Sequence, residues 1–301
     1  MNATEFILEN VEYFRVIYGV PMLVTTTIST VVHAAVINAI IRLKLHRKSP
    51  VFRLMFTIEL NAFLQIFLFM FFSSVSVFDI NAPYFLLKPL SIAMTNLLLT
   101  MSCQQICLTF ERIWALKDVY SKTKISMTKI NIIILFCWLT ASFLQSLYFT
   151  TTNDYVWYRH LLQFKKFCCD NEFVFFTENL RKVGSVCEVT GNVIVIGLIF
   201  YHKRHYKTGS LPREFEVRLI IQNMSLSILL LFPTNYVTLT NTGIPFIVHF
   251  VQFAWIVVLS AQPILLILSD VRIWRYCLNF FEIGRRSNQH STTTISVMSR
   301  K

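Results

Sequence analysis

Seven stretches of this chain run for a membrane helix's length without one lysine or arginine: 16–41, 54–72, 89–110, 130–149, 183–201, 219–239 and 244–268. A bilayer core roughly 30 Å thick is crossed by about 20 apolar residues of helix. The windows are 19 to 26 residues long, and their 152 residues hold two carboxylates, Glu59 and Glu188. Apolar residues make up 54% of the chain and charged residues 15%, where soluble proteins carry about 25% charge. An aqueous fold is excluded. The expected fold class is an all-α membrane protein, a seven-transmembrane helix bundle.

The positions of the basic residues orient that bundle. Segments 42–53, 111–129, 202–218 and 269–301 lie on one side of a seven-span chain and hold 21 of the 28 Lys and Arg residues. By the positive-inside rule that side is cytosolic, which makes segment 1–15 an extracellular N-terminus. A net charge of +12 would suit nucleic acid if it were clustered for phosphate contact. Its concentration in alternate loops reads instead as topology and attraction to anionic membrane lipids, and no nucleic-acid partner is expected. The first fifteen residues carry Glu5, Glu9 and Glu12 and lack the basic region and small-residue cleavage site of a removable signal peptide. Span one is therefore the expected anchor. Asn2-Ala3-Thr4 is a sequon on the external side, so Asn2 is a glycosylation candidate, whereas Asn223-Met224-Ser225 lies inside span six and is expected to stay unused.

The seven cysteines do not make a disulfide framework. Cys103, Cys107, Cys137 and Cys187 fall within spans, where a thiol packs as a small apolar group. Cys103 and Cys107 share a helix face, but no histidine or acid joins them at ligand spacing, so no metal site is expected. Cys168 and Cys169 lie in an outer segment where oxidation is plausible, and adjacent cysteines rarely bond to each other. The longest loop, 150–182, has the length of a lid over an outward cavity and not of a second domain. There is no P-loop, dinucleotide fingerprint, nucleophile elbow or zinc-protease helix. Neither an enzyme nor a cofactor is expected.

After span seven the pattern becomes amphipathic over 269–286. Ile273, Trp274, Cys277, Leu278 and Phe281 form one face, and Arg272, Arg275, Asn279, Glu282 and Arg286 the other. Such a helix lies on the inner leaflet. Cys277 is a palmitoylation candidate, and equally a buried, unmodified thiol. Residues 287–299 include seven Ser or Thr in thirteen, so 287–301 reads as a disordered Ser/Thr-rich cytosolic tail open to a kinase and to arrestin.

At the cytosolic end of span three stands Phe110-Glu111-Arg112-Ile113-Trp114-Ala115. The adjacent acid and arginine resemble the Glu/Asp-Arg-Tyr motif of G-protein-coupled receptors, in which the acid holds the arginine until activation frees it for the G protein. More closely, the chain resembles the nematode serpentine chemoreceptors, class epsilon and the related classes alpha and beta. That resemblance rests on Glu111, Arg112 and Ala115, on Arg218 followed by Gln222-Asn223, and on Gln262-Pro263 followed by Trp274-Arg275. It covers most of the chain in architecture through short motifs. Two receptor-wide features are absent: a cysteine at the outer end of span three, and a tryptophan two positions before Pro233. The resemblance implies a plasma-membrane receptor in the sensory cilia of chemosensory neurons, with an odorant or tastant as ligand and a heterotrimeric G protein as partner.

Physical chemistry points to the same switch region. Arg112 carries five donors near a low-dielectric boundary, and Glu111, with Glu214 and Glu216 at the start of span six, can supply carboxylates. The expectation is that Arg112 pairs with Glu111 and Glu216 while the inner ends of spans three and six are closed. Exposed ion pairs contribute about 0–1 kcal/mol, so such a lock requires partial burial. Pro233 in span six removes a helix hydrogen bond and is expected to kink that helix, although membrane helices also carry proline without moving. Pro263 in span seven invites the same two readings.

Intramembrane carboxylates are costly and mark function. Counted from its window, Glu59 sits five residues into span two, near the depth of Asn38 in span one, so an Asn38–Glu59 hydrogen-bond network or a protonated carboxyl is expected there in preference to an ion site. Glu188 sits at the depth of an outward pocket, with Thr95, Asn96, Asn192, Asn235, Tyr236, His249 and Gln252 at similar depth as ligand-binding candidates. Interhelical packing is the competing reading for each of them. These features together suggest a receptor. A transporter or ligand-gated channel is disfavoured by the odd span count and the lack of repeated halves, and a non-signalling scaffold is the remaining alternative.

Overall fold

In the computed structural model of the chain, the described residues are 13, 15–117, 126–150, 154–158, 163–167, 172–205 and 245–280. Span six lies outside them, as do Asn2, Glu214, Glu216, Pro233, Asn235, Tyr236, Cys168, Cys169 and the tail 287–301.

A π-helical turn, Arg15–Gly19, leads into α1, Val20–Arg42. Pro21 sits in the first turn of α1, where its fixed φ and missing N–H cost nothing. Lys44 turns the chain in the left-handed region, with φ 53°. The short α2, Leu45–Lys48, then gives way to Ser49, which is extended at φ −144° and ψ 135°. A residue before proline is pushed into that conformation, and Pro50 opens α3, Pro50–Val77. The bundle continues with α4, Tyr84–Lys117, and α5, Met127–Thr150. The remaining helices among the described residues are α6, Glu172–His205, α7, Pro245–Ser269, and α8 over 271–280.

The helices overrun the uncharged windows at both ends because Arg42, Arg53, Lys88, Lys117 and Lys129 occupy terminal turns. Long basic side chains can leave an apolar helix and reach polar surroundings from such positions. The all-α expectation needs one correction. In the segment read as a lid, Asp154–Tyr158 (β1) pairs antiparallel with Gln163–Phe167 (β2), Trp157 opposite Phe164. The aromatic residues Tyr155, Trp157, Tyr158, Phe164 and Phe167, with Val156, favour that pairing. Its β1 strand packs on α4 and β2 meets α7. Residues 172–182, expected as loop, are already helical in α6.

Among the described residues, four stretches are long and apolar enough to cross a membrane: Val16–Arg42, Pro50–Val77, Tyr84–Trp114 and Gln252–Ser269. Shorter apolar stretches, Met127–Phe143 and Val189–Tyr201, lie in α5 and α6. The burial pattern is that of a membrane-embedded protein. Val24, Ile28 and Val31 of α1, Phe67 of α3, and Phe136, Leu139 and Phe143 of α5 are exposed. Thr26, Ser29 and His33 of α1, Glu59, Asn61 and Gln65 of α3, and Gln104 of α4 are buried. Apolar residues outside and polar residues inside suit lipid as the surrounding solvent.

Helix α1 packs between α3 and α7, α3 also meets α4 and α7, and α4 meets α5 and α6. Lipid tails are as apolar as leucine, so this packing depends on close fit and on small residues at the contacts. Ala35 and Ala39 are buried on α1, and Gly191 brings α6 against α4. A Cβ at Gly191 would stand 2.5 Å from Thr109 Cγ2. Gly191→Ala is expected to lower the unfolding temperature in detergent through an overpacking cost of about 1–3 kcal/mol. Adding Thr109→Ser, which removes that methyl group, should restore most of the loss.

Candidate functional site

A buried polar cluster joins three of the membrane helices. Glu59 of α3 is 1% exposed, and His33 of α1 is fully buried with its Nδ1 2.6 Å from Glu59 Oε1. Gln262 of α7 donates from Nε2 to Glu59 Oε2 at 3.2 Å. Each carboxyl oxygen therefore has a partner from a different helix. A proton on either His33 or Glu59 satisfies the short contact.

Helix length explains why these three meet. Glu59 lies nine residues after Pro50, the start of α3, and His33 nine residues before Arg42, the end of α1. At ~1.5 Å per residue both lie about 13 Å from those helix ends. Gln262, seven residues before Ser269, arrives at a similar level. Counting from Leu54 had placed Glu59 too shallow and beside Asn38. The expected Asn38–Glu59 bond is therefore corrected: Asn38 Nδ2 donates to Tyr276 Oη of α8 at 3.1 Å. His33 was missed, although a histidine inside a window without lysine or arginine was itself a signal; its match in depth to Glu59 shows only once the true helix ends are known.

A second polar layer lies between α3 and α4. Asn61 Nδ2 donates to Gln104 Oε1 at 3.5 Å, and Gln65 Nε2 approaches Met101 Sδ at 3.4 Å. Ser29 Oγ, His33 Nε2, Asn61 Oδ1, Gln65 Oε1 and Gln104 Nε2 are buried without a hydrogen-bond partner. The interior thus keeps both donors and acceptors available, the chemistry by which small polar molecules are held.

Near the C-terminal end of α4, Arg112 Nε lies 3.8 Å from Glu111 Oε2, and each side chain is 10% exposed. That separation is Coulombic contact beyond hydrogen-bond range, and the burial meets the condition for a lock. Glu214 and Glu216, the other expected partners, are outside the described residues. After α7, Asp270 caps α8 by accepting from Arg272 N at 2.8 Å. It also binds the Arg272 guanidinium at 3.1 Å and 2.7 Å, and Arg272 stands 5.4 Å from the Phe52 ring centroid. The Asp270 hydrogen bond raises the Arg272 pKa above its usual range. Ile273 and Cys277 of α8 are buried against the bundle while Trp274 and Leu278 are exposed. Burial also pushes the Cys277 thiol up in pKa, which suits its reading as a packed thiol.

The candidate ligand residues are placed less uniformly. Thr95 Oγ1 donates to Ile92 O of its own helix at 2.8 Å, and Asn96 Nδ2 donates to Ser142 Oγ of α5 at 3.3 Å. Asn192 is buried on α6, and Gln252 is half-buried on α7. Glu188 and His249 are helical, in α6 and α7, with side chains outside the described residues. The hydrogen bond from Asn96 is thus an α4–α5 packing contact.

No protein-family model matches the chain, and no curated protein matches it in sequence. The geometry of the His33–Glu59–Gln262 cluster makes its own prediction. His33→Leu should cost about 3–5 kcal/mol, because removing one partner strands the other in a low-dielectric interior. Glu59→Gln should cost much less in that background than alone, giving a coupling of about 1–3 kcal/mol. Thermal denaturation of the four proteins in lipid nanodiscs measures it, and strictly additive costs would separate the two residues.

Proposed function

We propose that the chain is a chemosensory G-protein-coupled receptor with seven spans, an external N-terminus and a cytosolic C-terminus. It binds a small odorant or tastant from outside and engages a heterotrimeric G protein inside. The observation that carries this reading is Arg112, held nine-tenths buried beside Glu111 at the end of a membrane helix. An arginine kept from water at that boundary can reach a partner protein only when the inner face opens, which exchanges its contacts within the bundle for contacts with that partner. The α8 helix, docked through Ile273 and Cys277 with Trp274 outward, supports an inner face lying along the leaflet. The motif resemblance to nematode serpentine chemoreceptors adds the plasma membrane of sensory cilia as the place of action. It also adds the Ser/Thr tail as the segment that kinase and arrestin would meet.

Ligand binding shifts the inner-face equilibrium only through its differential affinity for two states, about 1–3 kcal/mol in ordinary cases. The outward polar positions Thr95, Asn96, Glu188, Asn192, Asn235, Tyr236, His249 and Gln252 are where that difference would arise. Pro233 and Pro263 would soften the helices that carry it inward.

Cells expressing the chain with several G-protein α subunits, exposed to a panel of volatile and water-soluble chemicals, test the proposal through cytosolic calcium and cAMP. A wild-type response that disappears in Arg112→Ala at matched surface expression is expected. Glu111→Gln should raise basal signalling about 5-fold or more, the lower end of such a bias. A response that survives Arg112→Ala, or a ligand-gated current without G protein, would favour a channel.

A further inference from the structure

Two thiols meet inside the bundle where neither the polar cluster nor the inner face uses them. Cys107 Sγ of α4 and Cys137 Sγ of α5 are 3.7 Å apart, in van der Waals contact across the helix interface. Cys137 is 3% exposed and Cys107 is half-buried. Both are reduced, and Cys103 stands one turn from Cys107 on the same helix. No group of three or more histidine, cysteine, aspartate or glutamate side chains that could hold a metal ion occurs among the described residues. The pair is therefore open to covalent chemistry in place of coordination.

We propose that Cys107 and Cys137 form a reversible, peroxide-driven disulfide that braces α4 against α5. The half-buried Cys107 sulfur attacks the terminal oxygen of a hydroperoxide, whose O–O bond breaks. The products are a sulfenic acid on Cys107 and an alcohol, or water when the reagent is hydrogen peroxide. The buried Cys137 thiol then attacks the sulfenic sulfur, the S–S bond forms, and the sulfenic oxygen leaves as water with the thiol proton. Overall two thiols lose two electrons and two protons, the peroxide gains them, and a thiol reductant reverses the change.

Position favours this chemistry. Cys107 lies five residues before Arg112, about 7–8 Å along the helix, within the inner half of the membrane span. Uncharged peroxides dissolve into that region, while charged oxidants do not. A disulfide needs sulfurs near 2.05 Å, so the thiols must close by about 1.6 Å, within reach of small side-chain rotations if the Cβ atoms are suitably spaced. The brace would fix two helices just above the Glu111–Arg112 pair. The chemistry itself stands independently of the receptor proposal.

The test uses the full chain in lipid nanodiscs, treated with hydrogen peroxide or with tert-butyl hydroperoxide as the more lipid-soluble arm. Remaining thiols are alkylated after denaturation and the peptides are mapped by mass spectrometry. The expected result is a Cys107–Cys137 linked peptide that disappears on treatment with dithiothreitol. In Cys137→Ser the link should be lost and Cys107 should become trappable by dimedone. Stronger linking by tert-butyl hydroperoxide would indicate delivery from the lipid, and stronger linking by hydrogen peroxide delivery through the polar interior; either supports the proposal. Recovery of Cys107 and Cys137 as free thiols while exposed Cys187 is oxidised would overturn it, as would a Cys103–Cys107 link in place of the interhelical one.

Discussion

A carboxyl group buried in a membrane interior has to be matched by partners, and Glu59 is matched by two helices other than its own. Stranding an ionisable group at that depth costs several kcal/mol, more than any single apolar contact in lipid returns. The His33 and Gln262 contacts therefore constrain how α1, α3 and α7 can sit together. Register along all three helices follows, since a shift by one turn, about 5.4 Å, would separate the partners. The rest of the described packing is consistent with that register. Ala35 and Ala39 allow close approach on α1, and Asn38 reaches Tyr276 of α8 at the inner end.

The same cluster places a soft point beside a rigid one. Gln262 precedes Pro263, which leaves the helix without one backbone hydrogen bond. The residue that holds Glu59 thus sits where α7 is easiest to bend. At the end of α7, Asp270 starts α8 and grips Arg272. Movement of α7 would therefore reach both the interior cluster and the inner surface. On α4, the polar layer at Gln104, the thiol at Cys107 and the buried Arg112 follow one another toward the same surface.

Much of this architecture was legible because lipid writes a simple rule into sequence. Outside 219–239, the windows without Lys or Arg fall on described helices, whereas Asp270, which caps α8, was read as part of one amphipathic stretch over 269–286. Ends were harder to read. Ser49-Pro50 was the true start of α3, and taking Leu54 instead misplaced Glu59 by about a turn. That error sent the partner search to Asn38 and past His33. The hairpin at 154–158 and 163–167 carries aromatic residues that favour strands, but the length of the segment was read as that of a lid over an outward cavity. Contacts such as Cys107 with Cys137 depend on the rotation of one helix about another. Sequence periodicity gives the face of a helix and not its neighbour.

The measurement that bears most directly on this account is the distance from the Glu59 carboxyl carbon to the His33 ring nitrogens in a lipid bilayer. Solid-state NMR dipolar recoupling on protein with 13C-labelled glutamate and 15N-labelled histidine provides it, with His33→Asn identifying the signal. A separation of roughly 3–4 Å, as a direct hydrogen bond requires, is the predicted result. A separation beyond about 6 Å, outside any direct contact, would contradict it and remove the interaction on which the helix register rests.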